Sequence, residues 1–446
     1  MSLGHWMCTA AQVGLICLCL AAEAWAAPVS RFVNLTGDVG PGFGDTRNRY
    51  AWSLAKLGDD LFVGTANVDQ LAARLLPPYG GGAPSGILQI FGFVRGTGGE
   101  IWRLDAATGR WSKVYKSRSG SLGLRKMIVH NGKIFAGSAN YQSGAELIVS
   151  ENGFDWTVLS GGPLEDAANT SIRAMSVYNG TLYVGTENSN GAELWTYTEG
   201  GGDPWSFRNR FPDGSVSELT EFGGELYVGT WDFGGTYALY AGDGLNFTDV
   251  TPTQSLPAGN VGVMRLQPFS GQLYLTTVNY INGFSLLRSA NPDVATDWEL
   301  ITSDGLGDPR NAYGWASAVV GGTMYIGTFQ LGGDPLGGST AGLAKLYASE
   351  DGTDWRIVVD NGFGLPSAYG IRTLLADGER LYVGTASNIL LPNPPLARRP
   401  KALTLEAVQD FRYNNPDLFT RIMRIGLLPA GRTLGCEVWV SDSAAP

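Results

Sequence analysis

The sequence predicts an all-β fold: a seven-bladed β-propeller closed by an N-terminal strand, with a small helical insertion in the last blade. Three observations lead there. A strand ending in Gly-Thr or a near variant recurs seven times, each copy is followed by a second apolar strand, and a segment near the N-terminus matches the one strand that the final copy lacks.

Length and composition set the frame. A chain of 446 residues exceeds what one small core organises. Its 63 glycines, 13 tryptophans and only 16% charged residues suit short strands with tight turns and both sheet faces buried. A net charge of −10 argues against a nucleic-acid partner, because no basic surface is on offer.

The chain begins with an export-type signal over residues 1–26. An apolar run from Val13 to Ala22 precedes Ala24-Trp25-Ala26, a small-x-small cleavage pattern, although no Lys or Arg precedes the run. The run is short for a membrane span, so the mature chain is expected to have no transmembrane segment and to reside in the periplasm or outside the cell. Cys8, Cys17 and Cys19 fall in this segment, which leaves Cys436 without a disulfide partner.

Residues 29–446 carry the repeats. The Gly-Thr strands are Leu61–Thr65, Ile134–Ser138, Leu182–Thr186, Leu226–Thr230, Leu273–Thr277, Met324–Thr328 and Leu381–Thr385. The following strands open at Glu100, Glu146, Glu193, Ala238, Ser285, Lys345 and Glu437. After six of them an aromatic residue opens a further strand, at Trp111, Trp156, Trp205, Phe247, Trp298 and Trp355. The seventh has no successor before the chain stops. Residues 31–36, with Phe32-Val33-Asn34-Leu35-Thr36 patterned like Phe247–Thr251, are placed to complete that blade. Insertions lie at 68–99 and 387–435, the second containing helical patterns.

SENGFDW (Ser150–Trp156) and SEDGTDW (Ser349–Trp355) stand between the third and fourth strands of their repeats, one residue shorter than S-x-D-x-G-x-x-W. On these turns the chain resembles bacterial secreted propellers with degenerate Asp-box, sialidase-type repeats. The resemblance implies a turn-stabilising role for these residues, away from any active site, and does not by itself imply sialidase activity.

If the strands of a repeat are named A to D outward from the axis, the B–C loops and the openings of strand A share one face. Long B–C loops in blades 6, 7 and 1 would wall that face. The A-strand position twelve residues before the Gly (Thr276 in the fifth copy) of Gly-Thr reads Trp52, Arg125, Arg173, Ser217, Met264, Trp315 and Arg372 around the ring, and Trp231 directly follows Gly229-Thr230. Guanidiniums bind carboxylate, sulfate or phosphate by paired hydrogen bonds, and indoles stack on flat groups. Trp52, Arg125, Arg173, Trp231, Trp315 and Arg372 are therefore the candidate ligand-binding residues, with Glu218, Tyr50 and Tyr313 close in register. A second ring (Asn67, Asn140, Asn188, Asp232, Asn279, Gln330, Ser387) reads as turn caps.

Chemistry is narrowed by what is scarce. With His5 in the signal and His130 at a turn, triads and multi-histidine metal sites have no members. No cofactor is expected. The loops Gly242-Asp243-Gly244 and Ser303-Asp304-Gly305 come nearest to calcium sites but lack their ligand density. The leading reading is an exported propeller binding an anionic or carbohydrate-like small molecule or glycan. An alternative is a glycan hydrolase or lyase using Glu218, Asp232 or a nearby Tyr, since glycoside hydrolysis needs two facing carboxylates and Glu218 with Asp232 is the one such pair the register places on that face. A third is a protein-interaction scaffold using Ile87–Phe93.

Overall fold

Asn179 and Gly180 both take positive φ, 47° and 72°, the conformation of a two-residue turn whose twist matches the strands it joins. The turn links strand Ser171–Tyr178 to strand Thr181–Glu187. The same hairpin recurs round a computed structural model that describes residues 31–69, 95–200, 203–232, 237–330, 343–365, 367–387 and 434–442. The expected signal segment, most of both insertions, their helical part and Ile87–Phe93 lie outside the described residues.

Seven A strands (Asn48–Leu57, Gly123–His130, Ser171–Tyr178, Ser215–Phe222, Asn260–Phe269, Asn311–Val320, Ala368–Asp377) alternate with seven B strands (Asp60–Asp69, Lys133–Ala139, Thr181–Glu187, Glu225–Trp231, Gln272–Asn279, Thr323–Gln330, Arg380–Ser387). The Gly-Thr signature has a physical cause. The Thr or Ser hydroxyl accepts the N–H that opens strand C in all seven copies: from Glu100, Glu146, Glu193, Ala238, Ser285, Lys345 and Glu437, at 2.7–3.2 Å. The Gly allows close approach of the next unit. A Cβ on Gly185 would stand 2.4 Å from Val216, and one on Gly327 2.4 Å from Ile371. In the fifth copy the Gly is replaced by Thr276, and the facing residue of the sixth is Gly314, where a Cβ would meet Thr276 at 2.8 Å. The large and small partners have changed places.

The recurring Glu-x-Trp of strand C is equally local. The carboxylates of Glu100, Glu193 and Glu437 accept the indole N–H of Trp102, Trp195 and Trp439 at 2.8–3.1 Å. At the C–D turns, Ser349 Oγ accepts from Gly352 N (2.8 Å) and Asp351 Oδ1 accepts from Thr353 N and Asp354 N (2.8 Å each). Ser150 and Asn152 repeat the arrangement.

The expected seven-bladed propeller is corrected by the pairing between units. Discrete blades meet through side chains alone. Here the end of each B strand is paired with the start of the next A strand: Ala66 with Gly123, Ala139 with Ser171, Glu187 with Ser215, Trp231 with Gly262, Val278 with Tyr313, Phe329 with Gly370, and Ala386 with Tyr50. Fourteen inner strands thus form one closed antiparallel barrel, with fourteen further strands outside it and a short pairing at Arg95–Gly96. Glycine or another small residue at most of these contacts lets the backbones meet. The arrangement fits a propeller without resolving into seven separate blades. The strand Phe32–Asn34 pairs with Val438–Ser441, so the outer layer also joins the two ends of the chain. Among the described residues there is no α-helix, only short 3-10 turns such as Pro41–Gly44 and Gly162–Glu165.

Among the described residues the core divides in the same way. Seven apolar clusters each lie between consecutive units, such as Val263, Leu266 and Leu275 against Tyr227 and Leu239. The eighth gathers Tyr50, Trp52, Trp231, Met264, Tyr313, Trp315, Phe329 and Tyr369 at the axis.

Candidate functional site

A β-bulge inserts one extra residue into a strand and re-aims its side chain. Every A strand has one at the same place, where the residue passed over in the register is Trp52, Arg125, Arg173, Ser217, Met264, Trp315 or Arg372, and four of the strands have a second nearer their start. The A-strand position singled out in the sequence is therefore a sevenfold ring of bulges.

The structure brings the six candidate ligand residues together as three cation–aromatic stacks. Arg125 lies over Trp52 at 5.2 Å, Arg173 over Trp231 at 4.1 Å and Arg372 over Trp315 at 5.1 Å. All three indoles are buried. Around them, Tyr50 OH is bonded to Tyr369 OH and Tyr280 OH to Tyr313 OH. Within each pair one hydroxyl donates to the other, so one proton per pair stays available to a further acceptor. Burial raises Tyr50 and Tyr280 to about 12 and Tyr313 and Tyr369 well above the ordinary phenol value, so all four stay protonated at neutral pH.

The charged groups form two levels. At the first, Glu187 Oε2 is 3.1 Å from Arg125 Nη1 and 3.7 Å from Arg173 Nη1, and Glu187 Oε1 accepts from Tyr141 OH at 2.9 Å. Arg125 also donates to Ser171 Oγ at 3.1 Å. At the second, one position beyond the bulge, Glu218 is paired with Arg265 and, at 3.3 Å, with Lys126. Lys126 and Glu218 come from the second and fourth units, so this pair bridges across the barrel and forms a floor.

Arg372 differs from its neighbours. It has no ion pair or hydrogen bond among the described residues, its side chain is buried, and its Nε has no partner. Burial, then the like charges of Arg265, Arg125 and Arg173, push it well below the ordinary guanidinium value. Burial and the charge of Arg125 bring Arg173 down to about 10. Two like charges about 8 Å apart repel by roughly 2 kcal/mol at an effective dielectric near 20, so such a cluster is costly unless something answers it.

Glu218 and Asp232 are not brought into contact with each other among the described residues. Burial alone would raise the Glu218 carboxyl, but Lys126 and Arg265 outweigh it and hold the group below its ordinary value. In the second ring, Asn140 and Asn279 accept backbone N–H groups two and three residues on, and Asn188 accepts that of Asn190. These are side-chain turn caps.

Sequence reasoning missed Glu187, Lys126 and Arg265. A signal was present. The residue after Gly-Thr is Ala66, Ala139, Trp231, Val278, Phe329 or Ala386 in six copies, and Glu187 is the lone acid. One residue past the bulge, Lys126, Glu218 and Arg265 stand where the other copies have Ser53, Ala174, Ala316 and Thr373.

No protein-family model matches the chain, and no curated protein matches it in sequence. Solved structures similar to it include YjhT, at 14% identity over 70% of this chain and 97% of that one, with a TM-score of 0.42. SapL1 lectin in complex with alpha methyl fucoside is similar at 13% identity over 70% and 97%, TM-score 0.40. Sqt1 of Saccharomyces cerevisiae is similar at 12% identity over 76% and 81%, TM-score 0.45.

Proposed function

We propose that this protein binds an anionic ligand at the axis of the barrel, on the face where the B strands end. The observation that carries this reading is Arg372, a buried guanidinium with neither carboxylate nor hydrogen-bond partner among the described residues, crowded by other cations. A buried unpaired charge is strongly unfavourable, and an anion supplied from solution would answer it.

Anion contact is favoured over sugar stacking. Each of Trp52, Trp231 and Trp315 has a guanidinium over its ring, so these faces are already engaged. A carbohydrate would enter on this reading through a carboxylate, sulfate or phosphate group. Glu218, held as a carboxylate between two cations, is poorly suited to be a general acid, which weighs against the hydrolase reading. The export-type N-terminus suggests that the ligand is met outside the cytoplasm.

Calorimetric titration at low salt with uronate, sulfate and citrate, set against neutral glucose and fucose, tests the proposal on wild type and Arg372→Met. Anions should bind wild type and lose at least tenfold in the variant. Binding of neutral sugars alone, or equal anion binding by both proteins, would overturn it.

A further inference from the structure

We infer that the axial site takes a small group carrying at least two negative charges, such as a sulfate, a phosphate or a polycarboxylate, in preference to a monoanion. The inference rests on the anionic reading above and concerns the charge of the ligand.

Arg125, Lys126, Arg173, Arg265 and Arg372 converge on the axis, while Glu187 and Glu218 are the carboxylates paired with them among the described residues. The cations exceed the carboxylates by three. A monoanion would leave two positive charges uncompensated, whereas a dianion or trianion leaves one or none.

The remaining donors suit the same ligand. The Nε groups of Arg125, Arg173 and Arg372 are buried without partners. The tyrosine pairs Tyr50–Tyr369 and Tyr280–Tyr313 each keep a proton to donate. A compact anion with several acceptor oxygens can use donors arriving from different sides, which a single carboxylate cannot do. Lys126 and Arg265 keep 28% and 18% of their side chains accessible to solvent, so the cations of this level can be reached from outside.

Sulfate and perchlorate share a tetrahedral shape and differ by one charge, so the pair isolates the variable. Calorimetry at fixed ionic strength should show sulfate binding at least tenfold tighter than perchlorate, and citrate at least tenfold tighter than acetate. Phosphate and pyrophosphate arms distinguish a phosphate-bearing ligand from a polycarboxylate. Arg372→Met and, independently, Lys126→Met should bring each ratio towards parity, and the second variant keeps the test open if the first does not fold. Equal binding of monoanions and dianions would overturn this inference while leaving the anionic reading in place. No binding of any anion by folded wild type would overturn both.

Discussion

Arg125 and Arg372 occupy the same bulge in the second and seventh units, and each lies over an indole of the unit before it, at 5.2 and 5.1 Å. One feature separates them. The unit after Arg125 ends its B strand in Glu187, which neutralises Arg125 and reaches Arg173, whereas the unit after Arg372 has Ala66 at that position. The repeat places guanidinium and indole. A single departure from the repeat decides whether the charge is satisfied within the protein. Of two arginines so alike in setting, Arg125 is held by an internal acid, and Arg372 is the better candidate to meet a ligand.

The largest effect is expected from Glu187→Gln. It strips two guanidiniums of their carboxylate at a buried position, and urea unfolding should show a loss of about 3–5 kcal/mol. An unchanged midpoint would mean that Glu187 does not hold the pair. Arg372→Met is expected to act in the opposite direction. With no ligand present it should stabilise the protein by about 1–3 kcal/mol, seen as a higher thermal midpoint, because it removes an uncompensated cation. A lower midpoint would show that Arg372 has internal support.

Ala66→Glu sharpens the contrast by giving Arg372 the acid that Arg125 already has. Citrate affinity measured by calorimetry should fall at least tenfold, with stability rising by roughly 1 kcal/mol or less. The smallest effect expected is on acid stability. The folded Glu218 carboxyl sits below its unfolded value, so its stabilisation is complete above about pH 4.5 and is lost as pH falls through the folded value. Denaturant midpoints should decline below that pH in wild type and decline less in Glu218→Gln. Arg173 contributes a cost where Glu218 contributes a gain, although stability again rises with pH because its folded value is also lowered. Its folded value near 10 means that its burial cost persists through neutral pH and eases only as pH rises through that value.

Much of the scaffold could be read from the chain because its causes are local. Asn179-Gly180 needs positive φ at two residues, Thr186 caps a strand seven residues on, and Glu193 reaches Trp195 two residues on. Contacts of this range leave a periodic trace. The pairing between units leaves none, because Ala66 and Gly123 are ordinary small residues whose proximity follows from how the barrel closes. The helical pattern expected within 387–435 lies outside the described residues.

At the candidate site, the ring of positions and the residue types that fill it can be read from the sequence, since the same offset from Gly-Thr recurs in every copy. Folding is what turns these positions into bulges converging on one axis, brings Glu187 to an arginine 62 residues away, and brings Lys126 of the second unit to Glu218 of the fourth. Electrostatic partnership depends on distance through space. The order of residues shows Glu187 as the lone acid at its repeat position, but which arginines it meets is decided when the barrel closes.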